Sequence, residues 1–148
     1  MYNAFAPGAQ MAVFEHRLRV RFQHTDPAGI VFFANILVYC HEAYEEFLRA
    51  SGMPLEEFIG KREHSLPLGH AEATFKRPFR AGQLVTVRLA VGRIGDRSFR
   101  IEYDLFGQGG EHLATAATEH ICVDTGSGKA AAIPPQLKAL LEKYATPA

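Results

Sequence analysis

Apolar and polar residues alternate in the first patterned segment of the chain, Phe14–Gln23. Leu18, Val20 and Phe22 fall on one side of this segment, and three arginines fall on the other. A repeat of two is typical of a β-strand with one buried face. The pattern therefore predicts a strand over Phe14–Gln23, with Phe22 facing the core and the arginines in solvent.

From Ile36 onward the apolar positions recur at the spacing of a helix with one buried stripe. The stripe consists of Ile36, Leu37, Cys40, Ala43, Tyr44, Phe47 and Leu48. Gly52 and Pro54 end this long helix, because glycine favours a C-terminal cap and proline cannot continue a helix. A second, short helix is predicted over Leu55–Gly60.

Period-two alternation returns in the second half of the chain, where it predicts four consecutive strands. Their apolar positions are Ala71, Ala73 and Phe75 in Gly69–Phe79; Val85, Val87, Leu89 and Val91; Phe99, Ile101, Tyr103 and Leu105; and the apolar residues of Leu113–Asp124. Gly95 and Asp96 predict a tight hairpin turn, and Gly107–Gly110 predicts a looser one. Pro134 and Pro135 open a short final helix.

The order of these elements, one strand, one long helix and then four strands, predicts an α+β fold. Consecutive strands joined by short turns pair antiparallel, and only the long helix can cover the apolar face of their sheet. We therefore expect a five-stranded antiparallel sheet wrapped around one long helix, plus a short C-terminal helix. Such a unit leaves edge strands open, so we expect a homodimer, or a homotetramer built as a dimer of dimers.

Length, charge and composition limit the possible partners. The 148 residues suit one domain, which we assign to residues 13–148, with residues 1–12 as a flexible tail in which Met11 is an alternative start. Lysine plus arginine equals aspartate plus glutamate at 16 each, so no net field favours nucleic acid. The chain has no apolar run of membrane-spanning length and no recognisable signal peptide. We expect a cytoplasmic protein without nucleic-acid or membrane partners.

The candidate chemistry lies between the first strand and the long helix. Asp26 stands in a turn with Pro27 and Gly29, just before the helix begins. A helix start has backbone N–H groups without intrahelical partners and the positive end of the dipole, so it can hold an anion. A carboxylate beside such a site suits attack on a carbonyl and stabilisation of the resulting oxyanion. On local chemistry alone, Asp26 as a helix N-cap is the commoner interpretation.

The sequence of Asp26–Phe33 is DPAGIVFF, which resembles the catalytic motif of the 4-hydroxybenzoyl-CoA thioesterase family, whose members have the hotdog fold. The resemblance extends from about Phe14 to about Pro135. It implies that Asp26 is the catalytic carboxylate, either as nucleophile or as the base that activates water. It also implies that the backbone N–H of Phe33 polarises the thioester carbonyl, while Gly29 permits the tight turn.

Three other segments resemble the branch of this family that hydrolyses 1,4-dihydroxy-2-naphthoyl-CoA: Tyr39–Glu45, Leu66–Ala71 and His120–Val123. The resemblance implies substrate contacts by His41 and His70. The hydroxybenzoyl enzyme has an acid at the position of His41, so recognition of a single para-hydroxyl is not expected, although an imidazole can hydrogen-bond a ring hydroxyl. The predicted reaction is hydrolysis of an aromatic acyl-CoA to the free acid and coenzyme A, without a cofactor.

Coenzyme A carries phosphates, and three arginines surround the predicted hairpin at Gly95. Family members have basic residues at this turn that contact the nucleotide, which implies phosphate contacts by Arg97 foremost and by Arg93 and Arg100. Arginines beside an exposed hairpin are also common without any binding role.

Other functional classes have weaker support in the sequence. There is no Gly-x-Ser-x-Gly elbow, and Cys40 and Cys122 are predicted to be buried and inert. No His-Glu-x-x-His or Cys-x-x-Cys motif predicts a metal site. The helix glutamates, an alternative base in another branch of hotdog thioesterases, are Glu42, Glu45 and Glu46. A broad short-chain acyl-CoA thioesterase, a non-catalytic acyl-CoA-binding hotdog module and a hotdog dehydratase stay open as alternatives.

Overall fold

The computed structural model of the chain describes residues 12–61 and 63–146. Of the predicted tail it includes only residue 12, so Met11 and the residues before it lie outside the described residues. The helices are α1 (Ala34–Ala50), α2 (Leu55–Lys61) and α3 (Pro135–Lys143). The strands are β1 (Phe14–Arg19), β2 (His64–Ser65), β3 (Leu68–Phe75), β4 (Leu84–Ile94), β5 (Ser98–Phe106), β6 (His112–Ile121) and β7 (Val123–Asp124). Among these elements, no helix combines the length and apolar content that crossing a bilayer requires.

Five of the strands form the main sheet, in the order β1-β4-β5-β6-β3, and every neighbouring pair is antiparallel. This architecture confirms the predicted sheet with its long helix and short C-terminal helix. One boundary is wrong: the last main strand ends at Ile121, and β7 turns away to pair with β2 in a separate two-stranded sheet.

Helix α1 lies across one face of the sheet, and its buried stripe forms the core. Phe47 packs edge-on against Phe14 of β1 with ring centroids 5.7 Å apart. Tyr44 stacks on His120 of β6 at 4.4 Å. The predicted stripe is confirmed with one change, because Tyr39 is fully buried whereas Leu37 is only partly so. The buried stripe therefore includes Tyr39, which brings a tyrosine hydroxyl into the core.

The first strand is shorter than the alternation predicts. β1 ends at Arg19, and the next residues form a short 3-10 helix over Phe22–His24. Phe22 is 83% exposed, so the prediction that it faces the core is wrong. Val20 makes the last backbone bonds to the loop before β4, to Gln83 and Gly82, and the chain then leaves the sheet.

Strand β3 forms an open edge of the sheet. Nearly all of its residues are exposed, Phe75 to 50%. The predicted apolar set nevertheless lies on the inward face of the sheet, because Ala71, Ala73 and Phe75 stand opposite three buried residues of β6, Thr118, Ala116 and Ala114. The strand also ends at Phe75 rather than Phe79, because the N–H groups of Lys76 and Arg77 both converge on the carbonyl of Leu113. Alternation shows which positions share a face, but not whether another element covers that face.

The hairpin between β4 and β5 turns one residue later than predicted. The Gly95 N–H donates to the carbonyl of Ser98 at 2.8 Å, so Asp96 and Arg97 form the tip. A register shift between Val91 and Ile94 accounts for the displacement, since one extra residue enters β4.

Candidate active site

The candidate acid lies in a small hairpin that leads into α1 and is called here the acid hairpin, His24–Phe32. Thr25 pairs antiparallel with Val31. The Asp26 N–H donates to the Ile30 carbonyl at 2.9 Å, and the Phe32 N–H donates to the His24 carbonyl at 2.9 Å. Pro27, Ala28 and Gly29 therefore form the tip of the hairpin, with Asp26 at its edge.

Asp26 orients its carboxylate by a local turn. Its Oδ1 accepts from the Ala28 N–H at 2.8 Å, and its carbonyl accepts from the Gly29 N–H at 2.9 Å. Gly29 has φ of +81°, a left-handed conformation that glycine adopts without a Cβ penalty. The N-cap interpretation is wrong, because α1 begins only at Ala34 and its cap position is Phe33. The half-buried carboxylate is thus left for other chemistry.

The helix start supplies the second element of the site. Phe33 occupies the cap position with no side-chain hydrogen bond to the helix. The first turn is closed by the Asn35 and Ile36 N–H groups, which donate to Phe32 and Phe33. Within the described residues, the Phe33 N–H donates to no backbone carbonyl. This N–H stands at the positive end of a helix of 17 residues, as stabilisation of an oxyanion requires.

An apolar cavity of about 320 Å³ opens beside the helix start. Its walls include Phe33, Ile36, Phe75 and Phe79, and the rings of Phe33 and Phe75 are 6.3 Å apart, edge to face. Phe33 is 60% exposed, so the cavity faces outward along the open edge of β3. Aromatic walls of this kind suit a flat apolar acyl group.

The predicted phosphate and substrate contacts lie elsewhere in the chain. The acid hairpin is bonded to the segment before β4, where the Val31 N–H donates to Phe79 at 2.8 Å, so it stands near the Phe75 end of β3. His70 and the β4–β5 hairpin lie at the opposite end of the sheet. His70 and Phe75 are five residues apart on β3, which corresponds to roughly 17 Å. One chain alone therefore does not bring these groups together.

His70, Arg93 and Arg100 belong to one ionic network on the sheet face that points away from α1. His70 Nε2 lies 2.9 Å from Oε2 of Glu72, whose Oε1 lies 2.7 Å from Nη2 of Arg100. Oε1 of Glu119 lies 3.5 Å from Arg93 and 3.8 Å from Arg100. The two arginines thus have carboxylate partners already.

Arg97 differs from its neighbours. Its carbonyl accepts from the Cys122 N–H at 2.7 Å, which fixes the hairpin tip. Its side chain is exposed and forms no ion pair with any described residue. Of the three arginines, Arg97 has the guanidinium most available to a phosphate.

The remaining candidates lie on the outer side of α1. His41 is exposed, and its ring contacts Tyr44 edge-on at 5.7 Å. Glu42 lies 3.2 Å from His16, and Arg49 holds the other two helix glutamates, Glu45 and Glu46, at 3.8 and 3.5 Å. These contacts favour a solvated helix face over a catalytic base.

The cysteines are confirmed as buried. Cys40 and Cys122 have no exposed surface, and burial raises the pKa of the Cys40 thiol to about 12. A thiolate nucleophile is therefore disfavoured at neutral pH. Within residues 12–61 and 63–146, no three His, Cys, Asp or Glu side chains cluster as metal ligands would.

A buried polar chain was not predicted from the sequence. His120 is stacked between Tyr44 and Phe99, and burial lowers its pKa to about 4. Its Nε2 lies 2.9 Å from Thr118 Oγ1, which lies 2.9 Å from the hydroxyl of Tyr103. His120 alternates with Thr118 in β6, so the period-two pattern contained the signal that both face inward.

Comparison with known proteins gives a consistent result. The family model described as the thioesterase-like superfamily matches residues 20–141, which include the acid hairpin and α1. A 1,4-dihydroxy-2-naphthoyl-CoA hydrolase of Nostoc punctiforme is 38% identical over 129 residues, covering 87% of this chain and 86% of that protein. A 1,4-dihydroxy-2-naphthoyl-CoA thioesterase from Synechocystis superposes with a TM-score of 0.84 at 30% identity, covering 88% and 96% of the two chains. A gentisyl-coenzyme A thioesterase superposes at 0.78 with 28% identity, covering 86% and 98%.

Proposed function

The chain belongs to the thioesterase-like superfamily, and we propose that it hydrolyses an aromatic acyl-CoA thioester with Asp26 as the reacting carboxylate. It has the hotdog fold and is an acyl-CoA thioesterase, as are its relatives that act on dihydroxynaphthoyl-CoA and gentisyl-CoA. The observation that carries the role of Asp26 is its place in the acid hairpin. An oriented, half-buried carboxylate there precedes a helix start whose Phe33 N–H has no backbone acceptor among the described residues.

Two routes fit this geometry. Asp26 attacks the thioester carbonyl and forms an anhydride that water then cleaves, or it takes a proton from a water that attacks directly. In both routes the carbonyl oxygen becomes an oxyanion, which the Phe33 N–H and the helix dipole stabilise. In both routes coenzyme A leaves as a thiolate, a good leaving group.

The aromatic cavity supports the choice of acyl group. A rigid ring loses little conformational freedom when it binds against the aromatic walls of this cavity, whereas a flexible acyl chain loses more. We propose 1,4-dihydroxy-2-naphthoyl-CoA as the first substrate to test, on the strength of the relatives from Nostoc and Synechocystis. Contacts of His41 and His70 to the ring hydroxyls stay predictions, since neither histidine lines this cavity within one chain.

We further propose that the working unit is a dimer paired through β3. The exposed edge of β3 has Leu68 and Phe75 half exposed, and pairing two edges antiparallel covers both. A two-fold axis across this edge places the His70 and Arg97 end of one subunit beside the acid hairpin of the other. Arg97, flanked by Arg93 and Arg100, then reaches the phosphates of a CoA bound at the partner's Asp26. Assembly of two such dimers stays a prediction, as does the cytoplasmic location.

Release of free thiol from a panel of acyl-CoA substrates tests the function. We expect dihydroxynaphthoyl-CoA and hydroxybenzoyl-CoA to have a higher kcat/KM than acetyl-, butyryl- or hexanoyl-CoA, by about tenfold, which corresponds to about 1.4 kcal/mol. A preference for hexanoyl-CoA contradicts the aromatic assignment and supports the short-chain alternative. Tight binding of acyl-CoA without thiol release from any substrate supports the non-catalytic alternative.

A further inference from the structure

One residue of the acid hairpin is attached to α1 at two points. The carbonyl of His24 accepts from Nδ2 of Asn35 at 3.0 Å. The imidazole Nδ1 of His24 lies 3.0 Å from the hydroxyl of Tyr39, and the two rings meet edge-on with centroids 5.5 Å apart. Asn35 and Tyr39 are four residues apart, so they occupy the same face of the first helical turns. These two contacts, called here the bracket, attach His24 to the start of α1.

Tyr39 provides a fixed anchor for this bracket. Its side chain is 1% exposed, and its ring packs against Phe79 with centroids 6.3 Å apart. Burial raises the pKa of Tyr39 to about 12, so the hydroxyl keeps its proton and can donate a hydrogen bond to the imidazole. Phe79 also accepts the Val31 N–H through its carbonyl. Both strands of the acid hairpin are therefore attached to the same part of the core.

The bracket spans the two groups of the proposed chemistry. Asp26 follows His24 by two residues, and Phe33 precedes Asn35 by two. We propose that Tyr39 is a positioning residue, which acts through His24 to fix the Asp26 carboxylate relative to the Phe33 N–H. The proposal rests on the proposed role of Asp26. A shift of about 1 Å between reacting groups can lower a rate by about 100-fold, so a buried hydrogen bond that prevents such a shift affects turnover directly.

The chain contains a matched control for this role. Tyr44 lies on the same helix and is also 1% exposed, but its hydroxyl bonds to none of the described residues. Tyr39→Phe and Tyr44→Phe each remove one buried hydroxyl from one buried ring. We expect Tyr39→Phe to lower kcat by about tenfold with KM within about twofold, and Tyr44→Phe to leave both within about twofold. Equal kcat values in the two folded variants would overturn the proposal.

A double-mutant cycle separates positioning from general stability. If Tyr39 acts through Asp26, Tyr39→Phe costs about tenfold in the wild-type background and almost nothing when Asp26→Asn is already present. The same loss in both backgrounds overturns the proposal. A fully active Asp26→Asn variant contradicts the proposed function instead, so the two failures are distinguishable.

Substitutions at His24 test the other end of the bond, and they apply if Tyr39→Phe folds poorly. Asn places a polar atom near the position of the imidazole Nδ1, whereas Ala removes it. We expect His24→Asn to keep kcat within about threefold of the wild type and His24→Ala to lose about tenfold. Equal losses in the two variants, at equal thermal stability, would overturn the proposal.

Discussion

Oε1 of Glu72 lies 2.7 Å from Nη2 of Arg100, and this ion pair distinguishes Arg100 from Arg97. The guanidinium of Arg100 is also within 3.4 Å of Glu102. Glu119 is a third carboxylate at 3.8 Å, so a phosphate that approached Arg100 would have to compete with three carboxylates. Arg97 stands at the adjacent hairpin tip with no such partner among the described residues.

Arg97→Ala is therefore expected to weaken binding of the CoA thioester more than it slows chemistry. Contacts to a remote phosphate are similar in the ground and transition states, so KM should rise by about tenfold while kcat changes little. The check compares an acyl-CoA with the matching acyl-pantetheine, which lacks the nucleotide. An equal rise in KM for both substrates would remove Arg97 from the phosphate site. The control for lost surface charge is Arg17→Ala, because Arg17 is an exposed arginine on β1.

Local pattern predicted much of this fold. The stripe of α1 and the Pro-Pro start of α3 follow from helical periodicity and capping chemistry. The glycine of the acid hairpin follows from turn chemistry, since φ of +81° at Gly29 is costly for other residues. These features depend on residues close together in sequence, which is why a single sequence contains them.

The errors concern contacts between distant residues. The exposure of Phe22 depends on where the chain after β1 stops pairing with β4, and the exposure of Phe75 depends on what covers the open edge at β3. The bond of His24 to Tyr39 joins a loop to a helix, and no period in the sequence marks it. The separation of Arg97 from Asp26 within one chain follows from the antiparallel topology, which local pattern does not describe.

Asp26→Asn tests the reacting group, because it preserves the shape of the side chain and removes its charge. Loss of a nucleophile or base should reduce kcat by about 100- to 10,000-fold in a folded protein. The matched control is Glu45→Gln, which removes a carboxylate from the exposed face of α1 and should leave kcat within about twofold. Near-normal turnover by Asp26→Asn, together with a large loss in Glu45→Gln, would transfer the role to the helix glutamates.

Gly29→Ala tests the conformation of the acid hairpin. A Cβ added at Gly29 would have no atom within 4 Å, so the cost is backbone strain alone, about 1–2 kcal/mol. Gly128 has φ of +71° and equally open surroundings, far along the chain in the loop after β7. We expect both alanine variants to lose similar stability in thermal unfolding, and only Gly29→Ala to lose kcat. Equal turnover in the two variants would show that the hairpin conformation is not critical.

The buried His120 predicts a stability that falls in mild acid. Its pKa is about 4 in the folded chain and 6.5 when unperturbed, so between these values only the unfolded chain binds the proton. Above pH 6.5 this difference in proton binding costs the folded chain no stability. As the pH falls from 6.5 toward 4, the free energy of unfolding decreases, by up to about 3 kcal/mol.

Denaturant unfolding of the wild type and His120→Gln from pH 7.5 to about pH 4, at one protein concentration, measures this effect. Glutamine removes the titrating group and keeps a hydrogen-bonding partner for Thr118. His41 also acts electrostatically on His120, and it is present in both proteins. We expect a flatter pH profile for the variant; parallel profiles would mean that His120 is not the source of the acid sensitivity.

The last prediction concerns the assembly of the site from two subunits. In one chain, Asp26 and Arg97 lie at opposite ends of the sheet, and antiparallel pairing of two β3 edges brings Asp26 of one subunit toward Arg97 of the other. A heterodimer of an Asp26→Asn chain with an Arg97→Ala chain then contains one intact site and one doubly defective site. Its kcat/KM at the CoA thioester should be about half that of the wild type, well above either variant homodimer.

The opposite arrangement is the control. Pairing a wild-type chain with a chain that has both Asp26→Asn and Arg97→Ala places one defect in each shared site, so kcat/KM should be about a tenth of the wild type or less. If each site belonged to a single chain, this second heterodimer would be the half-active one and the first would be nearly inactive. The two heterodimers, isolated with a different affinity tag on each chain, thus reverse their order under the two architectures. A monomer in light scattering at the assay concentration would contradict the shared site directly, because no partner would then supply Arg97.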